Sequence, residues 1–492
     1  MMLRLVGAFR SHDPCGLALL FHKPEVIVVY PAPAEAKRRD GNLVYFFCVL
    51  ILARPPQPAT QTAARQVPAM DKTGVGKEEA AAARKRQPWR RGSPDALRQL
   101  PWRRQLGITP GLSLEGHVRI LQIITPHKIA GAERSTTSLC EHLVRAGHEV
   151  IVACRREHPL IPVMREVGLD VRGISIGGKF NLAAPLRLAR LARRERVDII
   201  NTQLSTAALW GSLAGHLTGI PTVATVRALN NKSFYMLAHR VIAVSQAVRD
   251  YLMAQGMRGD RIDVVYNGID PGRYRLTLTR AAARERLGLE EEAIVFAVVG
   301  HLSARKGHAV FLDAAARIAD QAADHLYVFA GEGLEGEHLQ RQARRLALAD
   351  RVTFTGFLPD IMPIYAAADV VVLPSIAGEG LPRVLLEAGL LGRPAIGTRL
   401  SGTPEIIAEG VTGFIVPPGD VPALADAMLR LAGEGELRAR MGAAAAARIS
   451  CLFTIPAMVE GTLASYQRVL GRQAPGGPEG AGRRAPGARP EV

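Results

Sequence analysis

The sequence predicts an α/β protein: two doubly wound parallel sheets facing one another across a cleft. Three observations predict it. Short runs rich in Val and Ile, bare of polar alternation, recur between residues 118 and 416. Strands of that kind are buried on both faces, which requires a parallel sheet clothed in helices. Segments of helical length separate the runs. After a linker around 271–290 the rhythm starts afresh, so there are two arrays rather than one.

In the first array strands are expected at 118–124, 149–153, 197–201, 222–226, 241–245 and 262–266. Helices are expected near 132–146, 182–196, 205–217 and 246–255. The second array has strands at 294–299, 326–330, 352–354, 370–373, 395–397 and 414–416. Domains of 116–275 and 276–455 follow, then a helix at 456–470 and a Gly/Pro/Arg-rich tail, 471–492, that reads as disordered. Doubly wound domains bind ligands beyond the carboxyl ends of their strands, which puts the expected site between the two arrays.

Composition narrows the class. The chain has 492 residues, 48% hydrophobic and 22% charged, as in an ordinary soluble protein and unlike a wholly disordered one. Gly 48 and Pro 32 are too few for a collagen-like repeat. Five cysteines without a C-x-x-C pair support neither a disulfide framework nor a cysteine-built zinc site, and they fit a reducing cytoplasm. The formal charge is +17, and it is uneven: residues 1–115 hold 18 Lys/Arg against 9 Asp/Glu, or +9.

That first stretch is foreign to the rest, with Pro/Ala/Gln clusters, basic runs such as Arg84-Lys85-Arg86, and no sustained helical or strand period. The apolar run 43–53 is too short to span a bilayer, which takes about 20 residues. Residues 1–115 read as a poorly ordered basic extension upstream of the folded part; the alternative reading, a membrane- or nucleic-acid-seeking arm, is weaker. Trp89 and Trp102 stand beside arginines, but without a fold around them they do not make a nucleic-acid site.

The most informative segment is DVVVLPSIAGEGLPRVLLEAGLLGRPAIGT, residues 369–398. A buried strand ends at Pro374, a Gly-punctuated loop carries Glu379, Gly380 and Leu381, and Pro382 stands at the favoured first position of a helix. The N–H groups of Arg383 and Val384 then point out of a helix N-terminus, a ready site for a diphosphate. Glu379 and Glu387, eight apart, flank it and suit hydroxyl groups on either side of a diphosphate. The alternative is a solvated loop Glu and an ordinary helix Glu.

E-x7-E followed by A-x-x-x-G-x-P resembles the signature of the retaining glycosyltransferases of GT-B fold, family 4 (glycosyl transferases group 1), with their two Rossmann-like domains. The resemblance runs from about Val118 to Leu470. It includes AGAER (130–134), VIAVSQAVRDYL (241–252), VVYNGID (264–270), Gly300 with HLSARKGH (301–308), FAGEG (329–333), VTFTGFLP (352–359), SGTPEII and GVTGFIVPPGD (within 401–420). Each is weak alone; together, in family order and spacing, they are specific.

The resemblance implies a role for each position. Glu379 contacts the transferred sugar, Glu387 holds the ribose of the nucleotide, and Lys306 lies beside the donor diphosphate. Fixed cations and N–H dipoles there offset the charge that a departing diphosphate acquires. Relatives carry Arg where this chain has His301, so either Arg305 or a protonated His301 supplies the missing charge. Gly131, Gly300 and Gly331 border the donor, Asn267 contacts it or merely serves its turn, and the loop 356–359 with Phe357 meets the base. Glu133 and Arg134 either face the acceptor or, for Glu133, complement the helix dipole. Relatives often have His where Arg227 stands, and His127 is a lone loop histidine, so no acceptor-activating base is nominated. Ala130 replaces the first Gly of a Gly-Gly pair.

The expected activity is transfer of a sugar from a nucleotide diphosphate donor to a hydroxyl of a glycan or lipid-linked acceptor in bacterial envelope synthesis. It proceeds without metal or other cofactor, and by a front-face route in which the leaving phosphate assists the incoming hydroxyl. The basic, amphipathic segment 182–196 either rests on an anionic bilayer or is an ordinary solvated helix. The expected location is cytoplasmic, peripheral on the inner face of the membrane, with no nucleic-acid partner. The rival readings are an epimerase, a phosphorylase and a non-catalytic nucleotide-sugar-binding scaffold.

Overall fold

The computed structural model describes residues 19–22, 25–28, 38–39, 42–43, 116–126, 131–176, 178, 181–321 and 324–471. The chain divides into two units, Met1–Trp89 and Arg90–Val492. In the first, Leu19–His22 pairs antiparallel with Glu25–Val28, and Arg38–Arg39 with Asn42–Leu43. The sequence shows no sustained strand period in this stretch. Ladders of two to four residues are shorter than any window in which periodicity is measurable. The apolar run 43–53, apart from Leu43, and Trp89, Trp102, His127, Ala130 and the tail 472–492 lie outside the described residues.

The second unit holds two parallel sheets. The first comprises β1 (Arg119–Ile124), β2 (Glu149–Arg155), β3 (Asp170–Ile174), β4 (Ile199–Gln203), β5 (Thr222–Val226), β6 (Arg240–Ala243) and β7 (Ile262–Val264), in the order β7-β6-β5-β4-β1-β2-β3. The second comprises β8 (Ile294–Val299), β9 (His325–Ala330), β10 (Val352–Gly356), β11 (Val370–Leu373), β12 (Ala395–Thr398) and β13 (Gly413–Val416), in the order β10-β9-β8-β11-β12-β13. Each order reverses direction once, beside the first strand of its sheet. Loops leaving the two strands at such a switch point diverge and open a crevice. In the first sheet these are the loops after β1 and β4; in the second, those after β8 and β11.

Helices α1 (Gly131–Arg145), α2 (Leu160–Glu166), α3 (Ala184–Arg194), α4 (Ser205–Thr218) and α5 (Gln246–Ala254) clothe the first sheet. The second carries α6 (Arg280–Leu287), α7 (His308–Arg317), α8 (Gly336–Arg345), α9 (Met362–Ala367), α10 (Arg383–Leu390), α11 (Thr403–Ile406), α12 (Val421–Gly433) and α13 (Gly435–Leu452). The last helix, α14 (Ile455–Leu470), crosses back to the first domain, where Met458, Leu463 and Tyr466 join Ile120, Leu139 and Val223 in one apolar cluster.

Three elements depart from the sequence expectation. The edge strand β3 and helix α2 are additions: β3 has one buried face and reads DVRGI, and α2 contains Pro162. Neither gives an apolar run. The linker 271–290 is not structureless, because α6 lies within it, capped by the Thr279 side chain accepting from the Ala282 N–H. Arg284 fastens that helix. Its wholly buried guanidinium donates to the carbonyls of Ala367 and Ala293 and to Asp369 Oδ2 at 2.7 Å. Of the three arginines in RAAARERL, one is core.

A further cluster joins the two domains: Ala224, Val226, Val241 and Leu252 of the first pack with Leu373, Leu381, Leu385, Ile406 and Phe453 of the second. Polar contacts register the seam. The Glu405 carboxylate accepts from the N–H groups of Gln246 (2.8 Å) and Ala247 (3.0 Å), so an acid of the second domain caps α5 of the first. The sequence words VSQAV and SGTPE therefore meet in space.

Candidate active site

The site begins with two loops of the second domain, after β8 and β11. They are tied to one another: the Arg305 carbonyl accepts from Ile376 N (2.8 Å), and Arg305 Nη1 donates to the Gly378 carbonyl (2.9 Å). Arg305 is exposed, and its guanidinium is engaged by this loop contact. The next residue points inward. Lys306 Nζ donates to Glu379 Oε1 at 2.6 Å, and Ser375 Oγ donates to the same oxygen at 2.6 Å. The Glu379 side chain is 8% exposed and that of Lys306 16%.

Helix α10 supplies the other acid. Pro382 is its N-cap, in extended backbone at φ −69°, ψ 114°, and the first helical residue is Arg383. This moves Pro382 one position earlier than the sequence reading, while the Arg383 and Val384 N–H groups stay in the first turn. Glu387 is buried at 5% exposure. Its Oε1 accepts from Arg383 Nε (3.0 Å) and the Tyr274 hydroxyl (3.0 Å), and its Oε2 from the Tyr365 hydroxyl (2.7 Å). Burial, reinforced by the Glu387 charge, raises both phenols above the usual tyrosine pKa and keeps them as donors. Arg383 stays charged although burial opposes it, because Tyr274 and Glu387 favour the cation.

From the first domain Gly131 opens α1 directly against Arg383, 3.6 Å from its Cβ when a side-chain carbon is placed on the glycine. Two helix N-termini, one from each domain, thus converge on Arg383. Arg227 follows β5 and is pinned among neutral acceptors: Gln203 Oε1 (2.8 Å), Asn267 Oδ1 (2.6 Å) and Thr136 Oγ1 (3.3 Å). Burial lowers its pKa to about 10; the nearby Glu133 opposes that shift and Arg383 adds to it. Arg227 therefore remains a fixed cation at neutral pH. Asn267 Oδ1 also accepts from Ser135 Oγ (3.1 Å), so Asn267 binds the first domain together. Its neighbour Gly268 is packed against the start of α14, where an added Cβ would stand 2.6 Å from the Thr454 carbonyl oxygen.

The remaining expected positions scatter. Glu133 is buried near Arg227 and Arg134 is exposed. His301 is exposed; Gly300 N donates to the Ala330 carbonyl at 2.9 Å; Gly331 bridges to Gly356, beside the 61% exposed Phe357. Gly380 and Leu381 line the seam with the first domain. Sequence reasoning missed Ser375, Tyr274 and Tyr365. Ser375 was available in the LPS of the informative segment, but the tyrosines lie in a linker and a separate helix with no motif around them.

Behind Lys306 sits His308, 2% exposed, both ring nitrogens without a hydrogen-bond partner among the described residues and its ring edge-on to Phe329 at 5.1 Å. Burial, then the Lys306 and His301 charges, lower its pKa to about 4. The unfolded chain binds this proton near the ordinary histidine value of 6.5, so between pH 6.5 and 4 it holds more protons than the native state, and stability drops as the pH is lowered. His308→Leu should remove up to about 3 kcal/mol of that acid loss, read from urea unfolding across the window. An unchanged pH slope would count against a buried neutral imidazole.

The description "Glycosyl transferases group 1" matches residues 279–448, and "Glycosyltransferase Family 4" matches 129–273. D-inositol 3-phosphate glycosyltransferase of Mycobacterium bovis is 30% identical over 376 residues, covering 67% of this chain and 77% of that protein. The chain belongs to glycosyltransferase family 4.

The transferase is also similar to the UDP-Gal:alpha-D-GlcNAc-diphosphoundecaprenol alpha-1,3-galactosyltransferase of Escherichia coli, 24% identical over 65% of this chain and 89% of that one. In fold it matches Anabaena HepE, solved in complex with UDP and glucose, with a TM-score of 0.64 and 24% identity over 71% of this chain and all of that one. The two-sheet architecture is that of the GT-B glycosyltransferases. The transferase has, among its described residues, no grouping of three His, Cys, Asp or Glu able to hold a metal ion, and no helix long and apolar enough to cross a membrane.

Proposed function

We propose that this glycosyltransferase takes its sugar from a nucleotide diphosphate donor, with retention of anomeric configuration, and delivers it to a hydroxyl of a glycan or lipid-linked acceptor in bacterial envelope synthesis. The observation that carries the reading is the Lys306–Glu379 pair at the mouth of the same crevice as α10 and Glu387. Glu387 takes the ribose, the α10 amides take the diphosphate, and Glu379 meets the sugar. As the sugar–phosphate bond breaks, the electron pair goes to the phosphate oxygen. Lys306 and the helix dipole stabilise that charge where it develops.

Both acids already accept hydrogen bonds from cations, Glu379 from Lys306 and Glu387 from Arg383. That favours a front-face route, in which the departing phosphate oxygen receives the acceptor proton. The names of the E. coli galactosyltransferase, whose acceptor is a lipid diphosphate sugar, and of HepE with UDP support donor and acceptor classes. A metal-free reaction follows from Lys306 carrying the charge.

Thermal-shift titration with UDP-, GDP- and ADP-sugars identifies the donor, because a ligand held only by the native state raises the melting temperature. Transfer to an added acceptor should then persist in EDTA within about twofold. Loss of activity on chelation, restored by Mg²⁺ or Mn²⁺, would replace the lysine by a metal in this scheme. Release of inorganic phosphate, or sugar interconversion without acceptor, favours the phosphorylase or the epimerase; binding without turnover favours the scaffold.

The reading includes a cytoplasmic, peripheral location. Helix α3 exposes Leu186, Arg187, Arg190, Arg193 and Arg194, with Leu182 just before it 78% exposed. Such a face suits an anionic bilayer. Co-sedimentation with phosphatidylglycerol vesicles, absent with phosphatidylcholine and weakened by salt, is expected; equal recovery with both lipids would remove the membrane from the scheme.

A further inference from the structure

Glu387 is occupied before any ligand arrives. Its Oε1 accepts from Tyr274 and Arg383, each at 3.0 Å, and its Oε2 from Tyr365 at 2.7 Å. A carboxylate offers about four acceptor positions, two on each oxygen. Oε1 is therefore full and one position on Oε2 is open. A ribose presents two adjacent hydroxyls, so both can bind only if a present donor withdraws.

The three donors differ in their freedom to do so. Tyr365 is wholly buried. Tyr274 is held by Arg383, whose Nη2 donates to its hydroxyl at 2.7 Å. Arg383 itself stands in the first turn of α10, where a diphosphate is expected, and its buried Nη1 has no hydrogen-bond partner among the described residues. It also faces a like charge on Arg227. An anion entering between them gives the idle N–H an acceptor and relieves the repulsion.

We propose that Arg383 exchanges partners on donor binding: without donor it caps Glu387, and with donor it yields that carboxylate to the ribose and turns its guanidinium onto the diphosphate. The exchange rests on the donor reading above and goes beyond it, since it makes Arg383 a selector for phosphorylated nucleosides. A bare nucleoside must displace Arg383 with nothing to receive it; a nucleoside diphosphate brings the new partner. Tyr274, released in the same step, lies in the segment between the domains, next to Arg273, which donates to Glu141 of α1 at 2.5 Å.

The test is calorimetric titration of the full chain with uridine and UDP, guanosine and GDP, and adenosine and ADP, in wild type, Arg383→Met and Tyr274→Phe. Methionine keeps the aliphatic stem against Gly131 and removes the fork. The expected result for Arg383→Met is opposite in sign for the two ligands: the diphosphate binds about tenfold more weakly or worse, while the matching nucleoside binds more tightly. Tyr274→Phe frees a position on Oε1 without removing the cation, so the nucleoside should tighten and the diphosphate should not weaken. Equal weakening of both ligands by Arg383→Met, or weakening of the diphosphate with the nucleoside unchanged, overturns the exchange while leaving the donor reading intact. If wild type binds none of the three diphosphates, the donor reading fails and takes the exchange with it.

Discussion

Lys306→Met is expected to lower the kcat of sugar transfer by roughly 10²–10³-fold, with a far smaller change in donor KM. The asymmetry follows from when the charge appears. On the proposed reading α10 already holds the diphosphate of the bound donor, whereas the extra negative charge exists only as the sugar leaves, so a group that stabilises it acts on kcat. The substitution also strips a cation from Glu379, whose side chain is 8% exposed and then keeps, among the described residues, the Ser375 hydroxyl as its donor. Stability should fall by something on the order of 1–3 kcal/mol. Lys306→Met with Glu379→Gln separates the two effects: the amide removes the unpaired charge and restores stability, but not turnover. Glu379→Ala alone should abolish transfer while leaving nucleotide affinity largely intact. A Lys306→Met enzyme within about threefold of wild type would sink the leaving-group role.

Gly380→Ala should be nearly as damaging, for a steric reason. A Cβ on Gly380 would overlap the Arg227 carbonyl oxygen and stand 2.8 Å from its carbon and 3.3 Å from Ala228 Cα. These are backbone atoms of the other domain and cannot rotate away. The Gly380 carbonyl is fixed as well, by the Gly402 N–H at 2.9 Å. The domains must therefore move apart, and a displacement of about 1 Å at reacting atoms can cost roughly 10²-fold in rate. The expected signature is a large drop in kcat with the far-ultraviolet circular dichroism unchanged, since each sheet and its helices stay intact. Wild-type turnover in this variant would mean that the seam does not set the catalytic geometry.

Much of the fold was legible because buried parallel strands announce themselves. VFAVV in β8 and VVVL in β11 can be satisfied only inside a two-sided cover, and their positions needed no tertiary information. The half-covered β3, with Arg172 and Asp170 facing water, gave no such run. Helix α6 was hidden by its arginines, since burial of Arg284 depends on a carbonyl and a carboxylate more than 80 residues away. The site divides in the same way. Glu379, Glu387, Lys306 and Arg383 stand in recognisable local frames. Tyr274 and Tyr365 acquire meaning only through one oxygen or the other of Glu387.

By itself, then, the sequence determined the two α/β arrays, the helix start behind Pro382 and the acids on either side of it, because each is written in a contiguous stretch whose spacing and apolar pattern have few physical solutions. Tertiary structure alone decided which partners the charged groups meet. Lys306 and Glu379 are 73 residues apart and Arg227 and Asn267 are 40 apart, yet each pair is in hydrogen-bond contact. Those pairings are set by how two sheets reverse their strand order and by how closely glycine lets one backbone approach another, and neither is local to the residues that carry the charge.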